Sequence, residues 1–573
     1  MSFDDTVLKR LKFLYGTGEE NELLKRIKTL IEKYDFTLQE PTSARNSWSE
    51  EDAILITYGD VILPQNGTHK KLQTLERFIC EQLGGAVNTV HILPFFPSSS
   101  DRGFSVIDYQ KVREDLGDWE DIKRLSEQYN VMADLVINHT SRFSDWFENY
   151  QMGEEPGKDY FIEVDPSVDL SNVTRPRSSP LLTTVKTNRG MRYVWTTFSD
   201  DQIDLNFTNP DVLLEFIDIF LFYLSKGVNL IRLDAIAYLW KEIGTNSIHL
   251  EETHQVIKLF RDLVDHIDPN VSLVSETNVP FEENINYFGD GDEAHMIYQF
   301  SLPPLLLHAI LTESGQYLTE WAHNLPEPRE GGTYFNFTAS HDGIGVRPLE
   351  GLVPDKEFDY LVKSTQDRGG FVSYKTNPDE TQSPYELNIT YYDAFAEPGK
   401  KDTQLQINRY FCSQIIMLSL QGVPGIYFHN LTGTKNYLDG VTETGEKRAI
   451  NRKQWQEEEL EGHLDESDDI RRYILDRYKE ILKIRKQHSA FSPEAGQQIL
   501  DFGDSFFALY RQSDDETILC ISNITHEYRS IGQEILASLI GEAEQLQDIL
   551  IQKQRSVDQE LKLKPFETVW LSL

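Results

Sequence analysis

Cysteine is scarce in this 573-residue chain: Cys80, Cys412 and Cys520 lie far apart and form no CxxC pair. An odd, unspaced set excludes a disulfide framework and points to a reducing compartment. Long apolar runs are missing too. No stretch approaches the roughly 20 apolar residues of a membrane span. The N-terminus MSFDDTVLKRL mixes charges of both signs where a signal peptide would be apolar. The expected location is the cytoplasm, with no membrane partner. Positive charge is in deficit, with 55 Lys and Arg against 93 Asp and Glu, a net charge of -38. That field repels nucleic-acid backbones and anionic lipid. It repels phosphate as well, so a phosphate site has to be built locally from particular arginines. Neither HxxxH spacing nor paired cysteines offers a zinc site, and no cofactor is implied. Internal repeats and low-complexity tracts are absent from the sequence.

What is present is apolar patterning. Leu8, Leu11 and Leu14, then Leu23, Ile27, Leu30 and Ile31, keep a period near 3.6 and predict helices over residues 3–34. The polar stretch TSARNSWSEED follows as a linker, which makes 1–50 an N-terminal helical extension. From Ala53 onward eight apolar runs, AILITY, VNTVHILPFF, VMADLVINH, GVNLIRLDA, VSLVSE, MIYQF, TYFNFTASHD and GVPGIYF, are candidate strands. Helical patterns such as DWEDIKRLSEQ and HQVIKLFRDLVDHI lie between several of them. Eight such units predict an α/β chain with a (β/α)8 TIM barrel over 51–490, whose function belongs to the strand ends. The Pro- and Gly-rich piece at about 149–197 reads as an inserted small domain. A second irregular piece at about 350–388 interrupts the barrel before its last strand. Short alternating runs beyond 491, such as SFFALYRQ, TILCISNI and FETVWLSL, predict a C-terminal all-β domain over 491–573.

Two strands end on a single carboxylate, Asp234 and Glu276. Facing carboxylates at neighbouring strand ends are what a retaining glycosyl transfer needs, one as nucleophile and one as proton donor. Arg232 and Asp234 are separated by one residue and share a strand face, where the arginine can orient the nucleophile and favour its ionised form. Glu276 needs the opposite, a raised pKa. Asp342 follows His341 at the end of TYFNFTASHD, and Asn138 and His139 end DLVINH. The two imidazoles are candidate donors to sugar hydroxyls, and Asp342 opposes oxocarbenium charge. Asp101 and Phe104, in DRGFSVIDY, add an acceptor and an apolar ring face. Singly, each strand-end carboxylate reads equally well as a helix N-cap. Together, in this order, they do not.

These residues resemble the α-amylase superfamily, glycoside hydrolase family 13. DLVINH matches its first conserved region, IRLDA the second, the SET segment the third and ASHD the fourth. The resemblance implies Asp234 as nucleophile, Glu276 as acid/base and Asp342 as transition-state stabiliser, with Arg232, His139 and His341 orienting the sugar. Asn138 stands where amylases often bind calcium, but no cluster of oxygen ligands accompanies it, and it reads as a loop anchor. Within the superfamily the chain looks like the sucrose phosphorylase group, on ITYGD, HILPFFP, DRGF, RPR, LPPLLLHAI, HDGIGV, GLVPD, NITYY and INR. That likeness implies a glucosyl pocket closed by Asp101 and Phe104 and an acceptor-side Tyr238. It implies Arg177 and Tyr385 at phosphate, and an acceptor arginine in RAINR, Arg452 or else Arg448.

The expected partners are a small α-glucoside and inorganic phosphate. Where fructose-releasing members present Asp-Leu-Tyr-Gln, this chain has Ser383, Pro384, Tyr385 and Glu386, and it carries some 50 extra leading residues. Both departures resemble relatives that act on glucosylglycerate or glucosylglycerol. The expectation is phosphorolysis of glucosylglycerate to α-glucose 1-phosphate and D-glycerate through a β-glucosyl-Asp intermediate. Sucrose, glucosylglycerol or sucrose 6-phosphate as donor, plain hydrolysis or transglucosylation, and a non-catalytic saccharide binder are the alternatives.

Overall fold

All eight apolar runs form parallel strands that close on themselves. A computed structural model describes residues 2–38, 48–65, 69–377, 381–400, 402–540, 545–556 and 560–573. The barrel strands are β1 (Ile54–Thr57), β2 (Thr89–Ile92), β3 (Asn130–Leu135), β4 (Val228–Leu233), β5 (Ser272–Ser275), β6 (Met296–Tyr298), β7 (Thr333–Phe337) and β8 (Val423–Tyr427). Each pairs in parallel with its neighbour in the chain, and β8 returns to β1 with Gly425 opposite Ile54. Strands buried on both faces have no polar side to show, which is why they read as continuous apolar runs.

Local chemistry starts the covering helices. Asp118 caps Trp119–Ser126 by accepting from the Glu120 and Asp121 amides, and Asp121 accepts from the Asp118 amide in return. Ile122 and Leu125 of that helix are buried against the barrel. Pro210 opens Pro210–Ser225 behind an Asn209 cap, where a missing amide proton costs nothing.

The N-terminal extension is two helices, α1 (Phe3–Tyr15) and α2 (Glu20–Lys33), laid against Glu251–Ile267 and Pro210–Ser225. Buried Arg10 fixes α1 by reaching Asp262 (3.3 Å), Gln255 (3.2 Å) and Asp292 (3.2 Å). Residues 42–47 of the expected linker lie outside the described residues. Among those described, no helix is long and apolar enough to cross a membrane.

Two excursions rise over the C-terminal ends of the strands. Between β3 and β4 the chain forms helix Asp145–Met152, the hairpin Leu182–Thr187 with Gly190–Trp195, and a small core of Val164, Val173, Leu181 and Trp195. Before β8, the stretch read from sequence as irregular is regular instead. Helix Asp355–Asp367 leads into strands Phe371–Thr376 and Gln382–Asn388, and the second also pairs with Ile344–Gly345. At the C-terminus a six-stranded antiparallel sheet packs beside a two-stranded one, with one short helix, Gln533–Ile540, against them. Trp570 seats that domain on the barrel, donating to Ser419 Oγ (2.8 Å) with its ring 4.3 Å from Phe491.

Candidate active site

Arg232, near the end of β4, organises the rim. Its Nη1 donates to Asp234 (2.6 Å) and to Asp134 (2.5 Å), and its Nη2 lies 3.8 Å from Glu276. Asp134 on β3 is braced in turn by His91 of β2, whose Nε2 lies 2.7 Å away, and neither is exposed. A line of buried polar groups on three adjacent strands thus ends at Asp234. The part played by His91 was not legible in VNTVHILPFF, although a histidine inside an apolar run is a signal of buried pairing. Past Asp234 the chain turns through Ala235, whose φ of 51° is in the left-handed region. Such a backbone is costly for a residue with a side chain. Here it aims the Ala235 amide at Glu276 Oε2 (2.9 Å), tying Glu276 to the residue after Asp234.

Electrostatics separate the three carboxylates. Burial pushes Asp234 up to about 8, and the charges of Glu276 and Asp134 add to this against Arg232. Burial likewise raises Glu276, helped by Asp342 and opposed by Arg232 and the Ala235 amide. Arg232 therefore does not hold Asp234 low by itself, as the sequence reading expected. Both carboxyls are raised, and their titrations are linked. Direct contact with Arg232 favours the charge on Asp234 and the proton on Glu276. Asp342 goes the other way. Burial alone would raise it, but Arg448, His341 and Arg452 hold it well below the usual carboxylate range. It is an anion at every working pH.

A pocket surrounds these groups, and its lining includes Asp101, Phe104, His139, Arg177, Asp234, Tyr238, Glu276, His341, Asp342 and Tyr385. Phe104 and His341 stack at 4.6 Å, making a flat wall. Gly103 makes this wall possible: at φ 119°, a Cβ would meet the Pro94 carbonyl oxygen at 2.4 Å. Burial lowers the His341 pKa to about 3, so the ring is neutral, and its Nδ1 has no hydrogen-bond partner. His139 is different. It donates Nε2–H to the Phe104 carbonyl (2.9 Å) while Nδ1 accepts from Asn138 (3.2 Å). Both ring nitrogens are committed to the protein, leaving no free donor for a sugar hydroxyl.

The RAINR segment resolves in favour of its first arginine. Arg448 lines the pocket, whereas Arg452 is not on it. Arg452 lies behind the wall, donating to the His341 carbonyl (2.8 Å) and Asp101 (3.1 Å). It fastens Asp101 from behind, which corrects its expected acceptor-side position. Arg448 bridges Asp342 (2.5 Å) and Glu386 (2.7 Å). Glu386 is buried by that pairing and also accepts from the Gly343 amide (2.9 Å). It is therefore an ion-paired strut in strand Gln382–Asn388, off the inner pocket. A Cβ on Gly343 would meet Glu386 and the Leu387 carbonyl at 2.6 Å. Gly343→Ala is expected to cost about 1–3 kcal/mol of stability, read by denaturant unfolding, because strand Gln382–Asn388 must move.

At the mouth, Arg177 lies between two rings, 5.2 Å from Tyr385 and 5.8 Å from Phe198. Among the described residues no carboxylate stands within ion-pairing distance of it, whereas Arg232, Arg448 and Arg452 are all paired. Phe198, Gln202 and Asn278 also line the pocket, and the sequence did not single them out. Among the described residues no three His, Cys, Asp or Glu side chains are grouped to hold a metal ion.

A closed parallel barrel with a strand-end Asp, a neighbouring Glu and a third, arginine-bound Asp defines a retaining glycosyl-transferring class of enzyme. The α-amylase catalytic domain family matches residues 66–324 and the cyclo-malto-dextrinase C-terminal domain family matches 503–572. The glucosylglycerate phosphorylase of Spirochaeta thermophila is 45% identical over 528 residues, 91% of this chain and 89% of that protein. The Escherichia coli glucosylglycerate phosphorylase is 42% identical over 530 residues, 92% and 93% of the two chains. The crystal structure of sucrose 6F-phosphate phosphorylase from Thermoanaerobacter thermosaccharolyticum superposes with a TM-score of 0.72 at 26% identity, covering 85% of this chain and 96% of that one. The chain belongs to the α-amylase family, within its sucrose-phosphorylase-like group.

Proposed function

We propose that this protein is a glucosylglycerate phosphorylase. It moves an α-glucosyl unit from glucosylglycerate to phosphate and releases D-glycerate and α-glucose 1-phosphate. The observation that carries this reading is the unpaired Arg177 at the mouth of a pocket whose other arginines are neutralised. In a chain of net charge -38, an uncommitted buried-edge guanidinium is a place made for an anion. Both the leaving group and the incoming nucleophile of this reaction are anions. Glu386, which would otherwise repel a carboxylate, is cancelled by Arg448. The relatives above, at 42–45% identity over nine-tenths of the chain, bear the same name.

The steps follow from the rim. Asp234 attacks the anomeric carbon while Glu276 protonates the departing glycerate oxygen, and Asp342 opposes the positive charge spread over the ring. Phosphate, held by Arg177 beneath the Tyr385 ring, then attacks the β-glucosyl ester from the face glycerate left, so the α configuration is retained. Asp101 and the Phe104–His341 wall hold the glucosyl unit, and Tyr238 borders the departing group. An exposed free thiol at Cys80 supports a cytoplasmic location, where thiols stay reduced.

The test is kcat/KM in the synthetic direction, with D-glycerate, D-fructose, glycerol and fructose 6-phosphate each offered with α-glucose 1-phosphate. D-glycerate is expected to lead, and a higher value for fructose would restore the sucrose reading. Arg177→Ala is expected to weaken phosphate use by about ten- to a hundredfold, the worth of a charge-assisted contact of roughly 1.5–3 kcal/mol. Unchanged phosphate dependence would locate the anion elsewhere.

A further inference from the structure

One wholly buried ion pair lies outside the chemistry just described. Lys241, three residues past Tyr238, extends its ammonium to Asp204 Oδ2 (2.7 Å) and Asn138 Oδ1 (2.6 Å), with the Leu239 carbonyl at 3.4 Å. Its side chain is 2% exposed and that of Asp204 is 0% exposed. The three oxygens belong to three separate walls of the pocket. Asn138 is at the end of β3, next to His139. Asp204 is on the returning limb of the β3–β4 excursion, where it pairs across from His139. Leu239 belongs to the turn that begins at the nucleophile.

Each wall is then extended toward the sugar. Asp204 also accepts from the Thr197 amide (2.7 Å) and hydroxyl (2.6 Å), which fixes the residue before Phe198. Gln202, two residues before Asp204, donates to the Phe104 carbonyl (3.4 Å), the same oxygen that His139 meets. Burying an ammonium and a carboxylate stabilises a protein little, since apolar side chains of similar size fill such space equally well. What the charges add is registry, because three oxygens around one ammonium define a single relative placement of the segments carrying them.

We propose that Lys241 is a positioning residue for glucosyl transfer: its ammonium sets the wall of Phe198, Gln202 and His139 against the turn that carries Asp234. Lys241 does not touch the reacting carboxylates, which are held by Arg232 and by the Ala235 amide. Its loss therefore loosens the sugar-binding wall and leaves the nucleophile and acid in place. This rests on the glucosyl-transfer reading above and not on the identity of the acceptor.

The experiment uses the full chain with α-glucosyl fluoride as donor and phosphate as acceptor. In Lys241→Met, KM for the donor is expected to rise roughly ten- to a hundredfold, with kcat within about threefold of wild type. Lys241→Ala removes the equivalent of n-propylammonium, so adding that ion should recover most of the lost kcat/KM. Tetramethylammonium, which has no N–H to donate, should recover none. If the single variants do not fold, the paired replacement Lys241→Met with Asp204→Asn leaves no lone buried charge and is expected to show the same rise in KM. A folded variant with KM within threefold of wild type overturns the proposal, as does a loss confined to kcat or a loss that n-propylammonium does not repair. A wild-type protein inert toward α-glucosyl fluoride would count against glucosyl transfer itself, a separate failure.

Discussion

Asp234→Asn is expected to lower glucosyl transfer by at least about 10^4-fold, the scale on which loss of a covalent nucleophile is felt. The amide nitrogen or oxygen of Asn cannot form the β-glucosyl ester, and no other carboxylate occupies the end of β4. The fold should not suffer. A carboxyl whose folded pKa is raised binds its proton more tightly when folded than when unfolded. Its ionised form thus costs stability, and the cost grows as pH rises through the unfolded value toward the folded one near 8. A neutral Asn removes that cost, while Arg232 keeps Asp134 as a partner. A melting temperature at or above wild type at pH 8, together with absent turnover, is the expected pair of results. Transfer within tenfold of wild type in the folded variant would remove Asp234 from the mechanism.

Glu276→Gln should separate donors by their leaving groups. With glucosylglycerate, the departing alkoxide needs a proton, and the loss is expected at about 10^2- to 10^4-fold. With α-glucosyl fluoride, which departs without one, activity should stay within about tenfold. The pH profile gives a second reading. Wild-type kcat/KM should fall on the alkaline side, as Glu276, whose pKa burial raises, loses the proton it donates. In Glu276→Gln, assayed with the fluoride, that alkaline fall should vanish. Equal losses with both donors would make Glu276 a structural or nucleophilic group.

The barrel was legible because burial on both faces writes each parallel strand as an uninterrupted apolar run. The carboxylates were legible because each ends such a run. What the sequence hid is partnership and facing. Arg448 lies in the 3-10 turn Lys447–Asn451 and Arg452 directly follows it, and spacing alone did not decide which of them meets the pocket. The stretch at 350–388 looked irregular for two reasons. Pro384 lies inside a strand, and a register shift at Ser373 and Tyr374 breaks the alternation expected of its partner. Lys241 at the end of AIAYLWK, and His91 inside VNTVHILPFF, carry no mark of the distant carboxylates they meet.

The excursion before β8 leaves and rejoins the barrel as a clasp, with Ile344 paired to Leu387 and Gly345 to Glu386. The nucleophile and acid come from β4 and β5, elsewhere in the chain. Because its two ends are stitched to each other, this piece is an exchangeable cassette. Swapping residues 344–388 for the matching stretch of a relative with another acceptor keeps the spacing its anchors demand. Nature can therefore change the acceptor by replacing one contiguous segment while Asp234 and Glu276, with their Arg232, stay untouched.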